Sequence, residues 1–140
     1  MVPLVSLLMQ DIYSVLISLA SCLAHAELLY RAATDLEQST IEITPISRPF
    51  YEGLELKGQT FAPLPESIKP ASDAHSAIIR SMRSRADDFV NIVRDNKGCD
   101  GSFSEQFSRI DGLPEGARHL TWSNAAFLSM RDARDGKEMF

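Results

Sequence analysis

An all-α fold is predicted, on three observations. Three stretches repeat apolar residues at the three-and-four spacing of a helix face, and the segments joining them are rich in proline or glycine. Nowhere do apolar and polar residues alternate for long enough to argue a strand.

Length and charge set the bounds. At 140 residues the chain makes one small domain or part of a larger one. With 44% hydrophobic and 24% charged residues, a disordered tail, a collagen and a disulfide-dense miniprotein are excluded. Nineteen acids against fourteen Lys and Arg leave a net charge of −5 with no basic patch, so no nucleic-acid partner is expected. Neutral partners such as sugars or protein surfaces fit better. Cys22 and Cys99 lack Cys-x-x-Cys spacing and His25, His75 and His119 are scattered, so a zinc site has no support. One disulfide and two free thiols are equally compatible with that count.

The first helix is expected from about Asp11 to Gln38. Ile12, Leu16, Leu19, Leu23, Ala26, Tyr30 and Ala33 form its apolar stripe, and Ser39 and Thr40 end it before the β-branched Ile41 and Ile43. Met1 to Gln10 is unassigned. Ala24-His25-Ala26 resembles a signal-peptide cleavage site, but no Lys or Arg precedes the apolar run and the periodicity continues past it. A buried helix is therefore preferred to a signal peptide. A membrane span needs about twenty unbroken apolar residues, and Asp11, Ser14, Ser18, Ser21 and His25 interrupt this run.

A connector from about Thr40 to Pro70 holds five of the seven prolines, which excludes a continuous helix there. Ser47-Arg48-Pro49-Phe50-Tyr51 reads as a capped single-turn helix, proline being tolerated in a first turn. The second helix is capped by Ser72 or Asp73 and buries Ile78, Ile79, Met82, Ala86, Phe89, Val90 and Val93. Arg83 with Asp87 and Arg85 with Asp88 are spaced to pair on its other side, and Asn96-Lys97-Gly98 stops it. A glycine-rich loop, Cys99 to His119, follows. Thr121 or Ser123 then caps a third helix carrying Trp122, Ala125, Ala126 and Met130, and Arg131 to Lys137 is a charged end expected to fray. Val15, Leu28, Leu29 and Leu36 widen the apolar surface of the first helix beyond what two companions cover. A helix of that kind belongs inside something larger.

The sequence places its candidate chemistry on the loop. Glu105 stands between Phe103 and Phe107, where aromatic neighbours can desolvate a carboxylate or stack on a sugar face. A loop acid facing solvent is the plainer alternative. Asp100, Glu105 and Asp111 do not make a calcium loop, because the acid and glycine positions of that motif are wrongly filled.

The run Gly101-Ser102-Phe103-Ser104-Glu105-Gln106-Phe107, followed by Ala117-Arg118-His119-Leu120-Thr121-Trp122-Ser123, resembles the C-terminal signature of fungal glucoamylases, glycoside hydrolase family 15. Ala26-Glu27-Leu28-Leu29-Tyr30-Arg31-Ala32, Ile41-Glu42-Ile43-Thr44 and Arg85-Ala86-Asp87-Asp88-Phe89-Val90 resemble the family's preceding helices, so the likeness runs from about Ala24 to Met130. It implies the last helices of an (α/α)6 barrel over residues 24–131, with residues 1–23 unassigned and 132–140 a charged tail. It also implies an inverting hydrolase that releases glucose from the non-reducing ends of starch-like α-1,4-glucans, a glucan 1,4-alpha-glucosidase without cofactor or metal. Such an enzyme is secreted, not attached to a membrane, and a monomer when complete. Inversion uses two carboxyls about 6.5–9.5 Å apart. By resemblance Glu105 is the general base, and Phe103, Ser104 and Trp122 support it. Trp122 reads as a wall of the site or as an ordinary core tryptophan, and Phe103 and Phe107 as packing residues. The resemblance departs at His119, where the family has Asp, at Asn124, where it has Tyr, and at Gly116, where some relatives carry a hydroxyl. The general acid has no counterpart in these residues, so the chain is expected to be inactive alone. The alternatives are a non-catalytic helical interaction module derived from a hydrolase, and a secreted helical protein cleaved after Ala26.

Overall fold

The computed structural model describes residues 16–56, 59–60 and 63–137. Among the described residues four helices carry the fold: α1 (Leu19–Leu36), α2 (Arg48–Glu52), α3 (Asp73–Asn96) and α4 (Thr121–Arg134). Seven short strands are described between and before them: β1 (Leu16–Ser18), β2 (Ile41–Glu42), β3 (Glu55–Leu56), β4 (Gln59–Thr60), β5 (Ser67–Ile68), β6 (Gln106–Ser108) and β7 (Pro114–Glu115). They pair antiparallel as β1-β6-β7, β2-β5 and β3-β4. No strand had been expected. At two or three residues each, they are too short to leave a period-two pattern in the sequence.

α1 starts at Leu19, later than the expected Asp11, because Ile17 and Ser18 are drawn into a ladder opposite Phe107 and Gln106. Ser18 is extended and its hydroxyl accepts from the Ser21 N–H at 3.4 Å, the competing role that makes serine a cap. The remainder of the expected start, Asp11 to Val15, lies outside the described residues. From Leu19 onward the alanine- and leucine-rich sequence favours helix, and Leu19, Leu23, Ala26, Tyr30 and Ala33 are buried as their spacing requires. The helix runs unbroken through Ala24-His25-Ala26. Among the described residues no helix is long and apolar enough to cross a membrane.

α1 is the central element and packs on both α3 and α4. Its first half joins Ala86 and Val93 of α3, Phe107 of β6, and Met130 and Ala133 of α4 in one core cluster. Its second half meets Ile78, Ile79 and Met82 of α3, over which Ile41, Ile43, Leu54, Leu64 and Ile68 of the proline-rich connector are folded. That connector therefore wraps a surface. Ser47 precedes α2 but caps nothing with its side chain; its hydroxyl accepts from the Thr44 N–H at 3.0 Å. His75, buried near the start of α3, places Nε2 3.0 Å from the carbonyls of Leu36 and Ser39 and so closes the end of α1.

α3 begins as expected, with the Ser72 hydroxyl accepting from the His75 N–H at 3.2 Å, and ends at Asn96. The ion pairs expected along it give way to bonds between elements. Arg83 reaches Glu37 at 2.6 Å, Arg85 reaches the Gly53 carbonyl, and Asp87 accepts from the Tyr30 hydroxyl at 2.5 Å and pairs with Arg134 at 3.2 Å. Of the flank read as solvated, Arg83 and Asp87 turn toward the neighbouring helices, while Arg85 and Asp88 are exposed.

α4 differs at both ends. Leu120 is its N-cap and neither Thr121 nor Ser123 caps it. The expected fraying is also absent up to Lys137. The Lys137 N–H donates to the Asp132 carbonyl at 2.8 Å and the Gly136 N–H to Ala133 at 3.2 Å, with Gly136 at φ +70°. These two bonds are a Schellman stop, which only a left-handed residue after the helix permits.

Candidate active site

Glu105 lies immediately before β6, and the β6–β7 register (Gln106 opposite Glu115, Phe107 opposite Pro114) carries Gly116 to its side. The turn between those strands is closed by bonds from the Ser108 N–H to the Leu113 carbonyl at 3.0 Å and from the Gly112 N–H back to Ser108 at 2.8 Å.

The peptide units around Glu105 are tied to distant parts of the chain. The Phe103 carbonyl accepts from the Leu120 N–H at 3.0 Å, and the Ser104 carbonyl from the Ser123 hydroxyl at 3.0 Å. The Glu105 N–H donates to the Ala117 carbonyl at 2.9 Å, and the Glu105 carbonyl accepts from the Leu19 N–H at 3.3 Å. That last donor is one of the first-turn N–H groups of α1, which have no partner within their own helix. The Ser104 hydroxyl, itself buried, donates to the Gln106 carbonyl at 2.7 Å. Three segments, the start of α1, the loop at Ala117 and the start of α4, thus hold one residue.

The Glu105 side chain leaves this frame toward solvent and is exposed. Its Oε2 accepts from the Ala117 N–H at 3.3 Å. Gly116 packs directly against it: a Cβ added there would lie 2.7 Å from Oε2 and 3.0 Å from the Glu105 Cβ, on a backbone with φ +73°.

Of the residues nominated from sequence, the structure brings Glu105 and Trp122 to one hollow, shared with Ser18, Ala20, Ser21, Ala24, Gln106 and Leu120. Trp122 is 74% exposed in this chain. Phe103 and Ser104 do not line that hollow. Phe103 packs on Phe127 with ring centroids 5.1 Å apart, and Phe107 is buried in the core. The hollow measures about 200 Å³. Sites that enclose a small molecule run to roughly 300–1,000 Å³, so this hollow is too small to enclose one by itself.

Behind the loop a second hollow, about 590 Å³, opens between residues 97–102 and 112–118. Arg118 pairs there with Asp100 at 2.8 Å. The hydroxyl and N–H of Ser102, with Arg118 beside them, hold the Asp100 carboxyl down to about 2. Both thiols are free, Cys22 buried and Cys99 exposed. Among the described residues no group of His, Cys, Asp and Glu is arranged to hold a metal ion.

Sequence reasoning missed Ser123, Ala117 and Leu19 as members of the frame. Two of them act through backbone groups and leave no side-chain signal. Ser123 was visible, but a serine in a first helical turn reads as a cap.

Residues 18–132 match the family model for glycosyl hydrolases family 15. The glucoamylase of Neurospora crassa is 38% identical over 115 residues, covering 81% of this chain and 18% of that protein. Among solved structures, the family 15 glucoamylase of Hypocrea jecorina superposes with a TM-score of 0.76 at 30% identity, over 85% of this chain and 19% of its own. The glucoamylase of Hormoconis resinae does so with a TM-score of 0.77 at 27% identity, over 86% and 20%. The chain spans about a fifth of the length of the relatives it matches.

Proposed function

The chain belongs to glycosyl hydrolases family 15, and from that premise we propose that it supplies the general-base wall of a glucoamylase-type active site, with Glu105 as the base. Its helices match part of the (α/α)6 barrel of those enzymes. The reaction is inverting hydrolysis that frees glucose from the non-reducing ends of starch-like α-1,4-glucans, in a secreted enzyme. In the inverting scheme one carboxylic acid protonates the leaving oxygen while a carboxylate on the opposite face deprotonates the attacking water. Glu105 takes the second role. A base has to be ionised, reachable by water and fixed in direction. The observation that carries the reading is an exposed carboxylate on a backbone tied to three segments, facing the same hollow as Trp122.

The acid and the remaining sugar contacts come from a further part of the barrel. The small hollow supports this, as do Leu28, Trp122 and Leu128, apolar side chains at least half exposed on α1 and α4. Those same side chains also support the rival reading of a non-catalytic helical interaction module.

Grafting residues 18–132 in place of the matched stretch of the Hypocrea jecorina enzyme separates the two readings. The graft is expected to hydrolyse maltose, and Glu105→Gln to retain maltose binding while losing at least about 100-fold in kcat. Turnover that survives Glu105→Gln removes Glu105 from the mechanism. A graft that folds and binds maltose but never turns over favours the interaction module. The 140-residue chain by itself should release no glucose from maltose.

A further inference from the structure

We propose that Ser123 is a positioning residue for Glu105, an inference that rests on the assignment of Glu105 as the base. The direction in which a side chain leaves the backbone is set by the two peptide planes flanking its Cα. At Glu105 both planes are held. The following plane is gripped through its carbonyl by the Leu19 N–H, and the preceding one at both ends, its N–H by the Ala117 carbonyl and its carbonyl by the Ser123 hydroxyl. Backbone supplies every one of these bonds except the last. Among the described residues Ser123 is therefore the one side chain that grips a plane adjoining the Glu105 Cα.

Burial gives that bond weight. Ser123 is 0% exposed and Ser104 1%, so water does not replace the hydroxyl if it is removed. The bond also spans nineteen residues, joining the base loop to the first turn of α4, one residue beyond Trp122. A single oxygen thus couples the orientation of the carboxylate to the helix that carries the tryptophan wall. Ser123 touches neither substrate nor water in this scheme. It acts through the Ser104–Glu105 peptide.

Two measurements test the inference separately from the assignment of Glu105. In the full 140-residue chain, amide hydrogen exchange at Glu105 is followed in the wild type, in Ser123→Ala and in Tyr30→Phe, whose lost bond lies between α1 and α3. Ser123→Ala is expected to speed Glu105 exchange at least about tenfold beyond any change in the α3 core amides, and Tyr30→Phe is not. Ser123→Cys, similar in size with a weak donor, should fall between wild type and alanine, and it replaces alanine in the comparison should alanine fail to fold. In the grafted enzyme, Ser123→Ala should lower kcat by about 10–100-fold while KM stays within about twofold, the pattern of a misaimed base. Glu105 exchange in Ser123→Ala that tracks the core amides, or a graft in which Glu105→Gln abolishes turnover while Ser123→Ala leaves kcat intact, overturns the proposal and leaves Glu105 as the base. Turnover that persists in Glu105→Gln overturns the base assignment, and the positioning role falls with it.

Discussion

Gly116 stands against the Glu105 carboxylate with no room for a methyl group, the added Cβ falling 2.7 Å from Oε2 on a left-handed backbone. Two penalties therefore attend Gly116→Ala. Left-handed backbone without glycine costs roughly 1–2 kcal/mol, and the Glu105 side chain must swing off the Ala117 N–H to clear the new methyl. The variant should lose about 1–2 kcal/mol in urea denaturation. In the grafted enzyme, kcat should fall with little change in KM. Stability equal to wild type would contradict the left-handed geometry.

Tyr30 is the point at which the three long helices meet. Its hydroxyl donates to Asp87 of α3 at 2.5 Å, and the same carboxylate oxygen holds Arg134 of α4 at 3.2 Å. Burial and the neighbouring carboxylate push the Tyr30 phenol well above its ordinary range, so it remains a donor at physiological pH. Tyr30→Phe removes a bond to a charged group while keeping the ring that fills the core. The expected loss is about 1–3 kcal/mol in chemical denaturation. A double-mutant cycle with Arg134→Gln should be non-additive, because both side chains use one oxygen. Additive losses would mean that the two contacts are independent.

How legible the protein was depends on which interactions are local. The buried faces of α1 and α3 follow from spacing alone, since 3.6-residue periodicity is written in the chain, and Ser72 was readable as a cap because its partner lies three residues on. The start of α1 was not readable, because what ends it is pairing of Ile17 with Phe107, ninety residues away. The same holds for Arg83 and Asp87. Their spacing invites a local pair, and only the packing of α1 and α4 against α3 redirects them. At the site, motif resemblance pointed to Glu105 and Trp122, which line one hollow. The frame behind Glu105 is made largely of backbone groups, to which side-chain identity is silent.

The two thiols should differ sharply in reactivity. Cys22 is 6% exposed on the buried face of α1, where burial pushes its thiol up, while Cys99 is exposed at the head of the loop that carries Glu105. A thiol-reactive aromatic disulfide should titrate one group in the native chain and the second only after denaturant is added. Cys99→Ser should abolish the native reaction, and Cys22→Ala should leave it unchanged. Rapid native labelling of both thiols would show that the first half of α1 is not packed as described.

Acid should loosen the loop that carries Glu105 in a window set by Asp100. The Ser102 hydroxyl and N–H, then Arg118, bring its carboxyl from the ordinary 3.8 down to about 2 in the folded chain. A carboxyl with a depressed folded value binds protons more weakly folded than unfolded, so its contribution to stability is complete above the unfolded value. That contribution is lost as pH falls from about 4 through about 2. The group is solvent-facing, so the effect should be modest and should shrink as salt is raised. Urea midpoints measured between pH 5 and pH 2 should therefore decline less steeply in Asp100→Asn than in the wild type, and the difference should narrow at high ionic strength. Parallel declines in the two proteins would show that the Ser102–Asp100–Arg118 cluster does not hold the loop.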